Sequence, residues 1–126
     1  MKVVIDTSVI IDYLRTKDLQ SLFIQIEKTH EIVLSLITVA ELYSGRSVQK
    51  EGEDKETLDG IVGGAEIIIP DLTAVKSVGR LRAEYQLSLG DAFVAALALD
   101  LNVPLATLDV RGFKQIHRLK VLPEKP

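Results

Sequence analysis

Four acids in this 126-residue chain stand where chemistry is done: Asp6, Glu41, Asp91 and Asp109. Asp6 ends the apolar run Val3-Val4-Ile5, and the hydroxyls of Thr7 and Ser8 follow it at once. Glu41 falls in the first turn of a helical pattern after a second strand-like run, Asp91 opens the apolar stretch "DAFVAALAL", and Asp109 closes "PLATLD". Gaps of 35, 50 and 18 residues separate them, so only folding can bring them together. Like charges within a few ångströms raise one another's pKa, so four carboxylates in one pocket call for a cation. Oxygen-only ligands suit hard Mg²⁺ or Mn²⁺. Such an ion suits a phosphate ester as substrate: it lowers the pKa of a bound water, orients it and stabilises the leaving oxygen. No other nucleophile system is present. There is no cysteine, and nothing in the pattern brings His30 and His117 together, so both read as surface residues.

The elements that must position these acids follow a strand–helix alternation. Lys2 to Ile5 read as a strand and Ser8 to Leu14 as a helix with Val9, Ile10, Tyr13 and Leu14 on one stripe. Asp18 is placed to cap a second helix through Lys28, Glu31 to Leu36 form a second strand, and Thr38 opens a helix to Ser47. "QKEGEDKE" at 49–56 reads as a helix junction or exposed loop, and Thr57 to Val62 as a helix stopped by Gly63-Gly64. "AEIIIP" is a third strand, Thr73 to Gln86 a helix, "DAFVAALALDL" a buried helix, "VPLATLD" a fourth strand and "LKVLP" a fifth. Short apolar strands alternating with helices predict an α/β domain: a parallel sheet covered on both faces. In such sheets ligands bind outside the carboxyl ends of the strands, where Asp6 and Asp109 lie.

Each acid also has a plainer reading. Asp6 could cap the helix that follows it, although Ser8 is equally able to. Thr38-x-x-Glu41 has the form of a capping box, Asp91 that of a first-turn acid favoured by the helix dipole, and Asp109 that of a turn residue. All four filling comparable places favours the site. Thr7, Ser8 and Thr107 are candidates to orient a carboxylate or contact a phosphate, with turn and cap chemistry as the alternative. Asp12 reads as a solvated helix residue, and Tyr43, Tyr85, Phe93 and Phe113 read as core.

Composition sets the outer limits. The length fits one domain, and 47% hydrophobic residues suffice for a core. No cysteine means no disulfide and no zinc–thiolate site. No apolar run approaches the roughly 18 residues that span a membrane, and the N-terminus enters a strand pattern without signal-peptide anatomy. A cytoplasmic protein is the expectation. The formal net charge of −3 argues against nucleic acid at first sight. Setting the four candidate acids aside leaves 15 basic residues against 14 acidic ones. Arg46, Lys50, Arg80, Arg82, Arg111 and Lys114 then remain as candidate contacts to a nucleic-acid backbone, each with a solvated surface residue as the favoured alternative; Arg46 stands foremost, because it lies five residues beyond Glu41. Without a large basic face, target choice would rest on RNA shape and accessible bases.

The chain resembles the PIN-domain family, and within it the VapC ribonuclease toxins of toxin–antitoxin pairs. The resemblance is carried by "VVIDTSVIIDYL", "LITVAELYSG", "LSLGDAFVAALAL" and "LATLDVRGFKQI", in order over residues 2–122. It implies a five-stranded parallel sheet, a Mg²⁺- or Mn²⁺-dependent endoribonuclease, a homodimer and an antitoxin partner. The family's acids map onto Asp6, Glu41, Asp91 and Asp109. Leu108 departs from the pattern, which often has a polar residue there. Helices at 18–28 and 57–62 carry apolar surface that a dimer could bury.

Three functions compete. The first is a metal-dependent endoribonuclease that leaves a 5′-phosphate and a 3′-hydroxyl. The second is a catalytically silent RNA-binding or regulatory module on the same fold, which loss of an acid would favour. The third is another phosphoryl-transfer protein. An aspartyl phosphatase would want Asp where Ser8 stands, and a receiver domain would want paired acids in place of Lys2-Val3-Val4.

Overall fold

The computed structural model describes residues 1–123. Five parallel strands form one sheet: β1 (Lys2–Ile5), β2 (Glu31–Ser35), β3 (Glu66–Ile68), β4 (Leu105–Ala106) and β5 (Val121–Leu122). Their order is β3-β2-β1-β4-β5. The chain therefore runs outward from β1 through β2 to β3 and returns to the other side of β1. That reversal lies between β1 and β4, where open parallel sheets place their ligand crevice. Val4 pairs with Leu105 and Ile5 with Ala106, and the Asp6 amide donates to the Ala106 carbonyl at 2.9 Å. The segments after β1 and β4 thus leave the sheet side by side.

The helices are α1 (Thr7–Thr16), α2 (Leu22–Glu27), α3 (Leu36–Tyr43), α4 (Glu53–Gly63), α5 (Leu72–Tyr85), α6 (Leu89–Leu101) and α7 (Val110–Phe113). Strand alternation sends side chains to two cores. Val4 and Val33 face α5, α6 and α7, meeting Val78, Leu81, Ala95 and Phe113. Val3, Ile5 and Leu34 face α1 to α4, meeting Ile10, Phe23, Leu42 and Leu58. Tyr85 and Phe93 pack at the margin of the first core and Tyr43 at that of the second, while the Tyr43 hydroxyl donates to Asp59 at 2.5 Å.

Two helix starts move because another side chain takes the cap. The Ser21 hydroxyl accepts the Ile24 amide, so α2 begins at Leu22 and not after Asp18. Lys17, in the left-handed conformation, ends α1 and turns the chain, and the Asp18 carboxylate receives the Gln20 amide inside that turn. Ser35 accepts the Ile37 amide, so α3 opens at Leu36, ahead of Thr38. It ends at Tyr43, and Arg46 lies beyond it in a short 3-10 turn (Arg46–Val48). The charged segment is half helix: α4 starts at Glu53, with Glu53, Asp54 and Glu56 in its first turn, where the helix dipole favours acids. Of the apolar side chains expected to serve a dimer at 18–28 and 57–62, Phe23, Ile24, Ile26 and Leu58 are buried, Leu22, Ile61 and Val62 are half-buried, and Leu19 is exposed.

Candidate active site

Asp6 occupies the N-cap position of α1, yet its carboxylate caps nothing. It is only 8% exposed. Ser8 Oγ donates to Asp6 Oδ2 at 2.9 Å, and Thr107 Oγ1 donates to the same oxygen at 2.8 Å. Charge-assisted bonds of this kind fix the orientation of a carboxylate. Both hydroxyls are themselves held: Ser8 Oγ accepts the Leu108 amide at 3.1 Å, and Thr107 Oγ1 accepts the Asp109 amide at 3.0 Å. The loop after β4 is thereby stitched to the first turn of α1. Thr107 thus makes a turn bond to the amide two residues on, but the protons of both Ser8 and Thr107 go to an acid.

Glu41 reaches the same place from α3. It lies in the second turn of that helix and makes no capping box; its Oε1 accepts the Thr7 hydroxyl at 2.7 Å. Thr38 is wholly buried, and its hydroxyl has no partner among the described residues. Asp91 is the third residue of α6, one turn after the cap Ser88, whose hydroxyl accepts the Asp91 amide at 3.2 Å. Asp109 precedes α7 and makes no capping bond to it. Asp91 Oδ2 and Asp109 Oδ2 lie 3.8 and 3.9 Å from the point that a Gly112 Cβ would occupy, so α7 runs beside both.

Burial first, and then the charge of Asp6, push the Asp91 carboxyl above the ordinary value; Asp109 and Glu41 add to the rise, and a hydrogen bond with Ser88 opposes it. One acid thus feels the other three. Between its ordinary pKa of 3.8 and its raised native one, the native state binds more protons than the unfolded chain, so stability falls as pH rises through that window. Asp91→Asn removes the penalised charge. In EDTA the variant is expected to melt above the native protein at pH 7, with the gain disappearing as pH falls below 3.8. Calorimetry at the two pH values checks this, and an equal or lower midpoint at pH 7 contradicts it.

The donor set is all oxygen, four carboxylates flanked by three hydroxyls, and its chemistry fits a hard divalent cation. The acids are gathered but not closed: among the described residues no three acidic or histidine side chains stand at the spacing of a metal cluster. A cavity of about 590 Å³ lies elsewhere, between α5 and α6, and none of the four acids lines it.

The remaining candidates divide. Arg46 is exposed and forms no ion pair among the described residues. Arg82 is held by its Nε donating to the Leu87 carbonyl at 3.2 Å, which fixes the turn into α6. Arg111 and Lys114 are exposed on and just after α7, beside Asp109. His117 is exposed; His30 is half-buried, its Nδ1 2.8 Å from the Thr29 hydroxyl. Gly90, to which the sequence reading gave no role, lies against the Glu41 carboxylate. The signal was a glycine in the first turn of a helix, where it costs about 1 kcal/mol relative to alanine.

Solved structures share this architecture. A chain of VapBC2 from Rickettsia felis, bound to a DNA fragment from its promoter, is 24% identical with a TM-score of 0.78 over 96% of this chain and 97% of that one. A toxin–antitoxin complex from Klebsiella pneumoniae contains a chain 23% identical, with a TM-score of 0.78 over 99% and 100%. VapBC-1 from nontypeable Haemophilus influenzae gives 22% and 0.74 over 96% of each. At these identities the likeness is one of fold. No curated sequence matches significantly. The PIN domain family model matches residues 3–119. The chain belongs to the PIN domain family.

Proposed function

We propose that this protein is a divalent-metal-dependent endoribonuclease, the VapC-type toxin of a toxin–antitoxin pair. The observation that carries the reading is a chain of contacts: Thr107 joins Asp6 to the amide of Asp109, Asp109 and Asp91 border Gly112, and Glu41 lies against Gly90, the residue before Asp91. PIN membership and the fold shared with VapBC complexes support it. Asp6, Glu41, Asp91 and Asp109 would hold Mg²⁺ or Mn²⁺. When bound, the cation supplies the charge that activates water and stabilises the leaving oxygen of a phosphodiester. The chain's own residues do the rest. Thr107 and Ser8 hold Asp6 by one oxygen, so that Oδ1 is left without a hydrogen bond among the described residues. Thr7 holds Glu41 in the same way. Arg46, and the exposed Arg111 and Lys114 that follow Asp109 on and just after α7, are the candidate contacts to an RNA backbone. Water attack in line leaves a 5′-phosphate and a 3′-hydroxyl.

The proposed partners are an RNA substrate, a cognate antitoxin and a second copy of this chain, in the cytoplasm. Support for the homodimer is an apolar surface away from the helices first suspected. Ile69, Leu72 and Val75 are 73%, 70% and 42% exposed. Ser35 pairs in register with Ile68, so Leu36, 41% exposed, and Ile69 both follow the carboxyl end of this strand pair. No helix among the described residues is long and apolar enough to cross a membrane.

The test is cleavage of a structured RNA by pure protein with Mg²⁺, Mn²⁺ or EDTA, with the new ends mapped. Metal-dependent cutting that leaves 5′-phosphates is expected; a silent protein that still binds RNA would favour the regulatory module. Thr107→Val keeps the shape of a wholly buried side chain but removes one of the two hydroxyls that hold Asp6. Its Mn²⁺ affinity is expected to fall about 10–100-fold, the usual cost of losing a residue that orients a ligand, with Thr107→Ser restoring most of it. Titration calorimetry reads both, and equal affinity in all three proteins would remove Thr107 from the site.

A further inference from the structure

We infer that Gly90 is a positioning residue for Glu41: the missing side chain is the seat on which the Glu41 carboxylate rests. The functional part of this inference rests on the metal-site reading proposed above. Gly90 is the second residue of α6. A Cβ built there would stand 2.7 Å from Glu41 Oε2, 3.3 Å from Cδ and 3.4 Å from Oε1. The whole carboxylate therefore lies over the glycine, with Thr7 Oγ1 holding Oε1 at 2.7 Å from the other side. Conformational freedom does not explain the residue, because the only positive-φ glycine among the described residues is Gly52. Helix propensity argues against it. Space is the remaining reason. The atom in the way is the far end of a flexible side chain, not backbone, so a larger residue displaces the carboxylate and leaves α6 where it is. A side chain at this position would displace the Glu41 carboxylate from the place where Thr7 holds it, while improving the helix.

The test separates seat from scaffold. Gly90→Ala is expected to melt in EDTA at or above the native midpoint, because alanine favours the helix. In the same sample the ¹³C signal of the Glu41 carboxyl is expected to move. Its Mn²⁺ affinity, read by calorimetry, is expected to fall about 10–100-fold, as for loss of a residue that orients a ligand. Glu41→Asp shortens the acid by one methylene. Alone it should weaken Mn²⁺ binding; combined with Gly90→Ala it should cost less than the two losses added, because the shorter acid clears the new methyl. An unmoved Glu41 signal, native Mn²⁺ affinity in Gly90→Ala, or strictly additive losses would each overturn the inference. A native protein that binds no Mn²⁺ would instead overturn the metal reading and the functional part with it, while the carboxyl signal would still decide whether the seat exists.

Discussion

Asp6→Asn and Asp91→Asn are each expected to reduce the proposed RNA cleavage by about 10³-fold, the rate equivalent of the several kcal/mol that a positioned cation contributes to a phosphoryl transition state. Both changes keep the size and shape of the side chain. Neither is expected to unfold the protein, since the two hydroxyls on Asp6 Oδ2 can still donate to an amide oxygen and loss of the Asp91 charge relieves repulsion. The pair of results is diagnostic in combination: Asp91→Asn should be more stable without metal and inactive with it. Single-turnover cleavage in Mn²⁺, beside Glu56→Gln on the exposed first turn of α4 as control, measures the effect. Losses below about tenfold would mean that the acids do not act on the scissile phosphate.

Phe113→Ala is expected to cost about 3–5 kcal/mol, the range for removing a fully buried aromatic side chain. For a domain of this size that lowers the melting midpoint by more than about 10 °C. Phe113 is 0% exposed and packs in the core that holds Val4, Leu105 and Ile116. It anchors α7, a helix of four residues that internal hydrogen bonds alone cannot hold. Because α7 runs beside Asp91 and Asp109, losing the anchor should also loosen that side of the site. Urea unfolding gives the number, and a loss under about 1 kcal/mol would show that α7 is held by something other than Phe113.

The strands were legible because β-branched runs such as Val3-Val4-Ile5 and Ile32-Val33-Leu34 have few other solutions, and the five-stranded parallel sheet followed from their alternation with helices. The gathering of the acids was legible for a related reason: residues just beyond the carboxyl ends of adjacent parallel strands must be neighbours, as the Asp6 amide on the Ala106 carbonyl shows. Helix starts were less so. Two hydroxyl or acid residues compete at each boundary, and the cap falls to whichever one the turn orients, Ser35 over Thr38 and Ser21 over Asp18. The capping-box reading of Glu41 failed with that boundary. Apolar surface on the second and fourth helices was read as spare because the sequence does not say how much a sheet face of this size can bury. Gly90 was hidden because its role is the space it leaves, and space has no letter of its own.

The central claim is that four acids on separate elements form one divalent-cation site. Its most direct measurement is a calorimetric titration of Mn²⁺ into the native protein and into Asp91→Asn at pH 7. The account predicts saturable binding in the native protein and its loss in the variant, although the variant is the more stable of the two without metal. Equal binding by both proteins, or none by either, would contradict it.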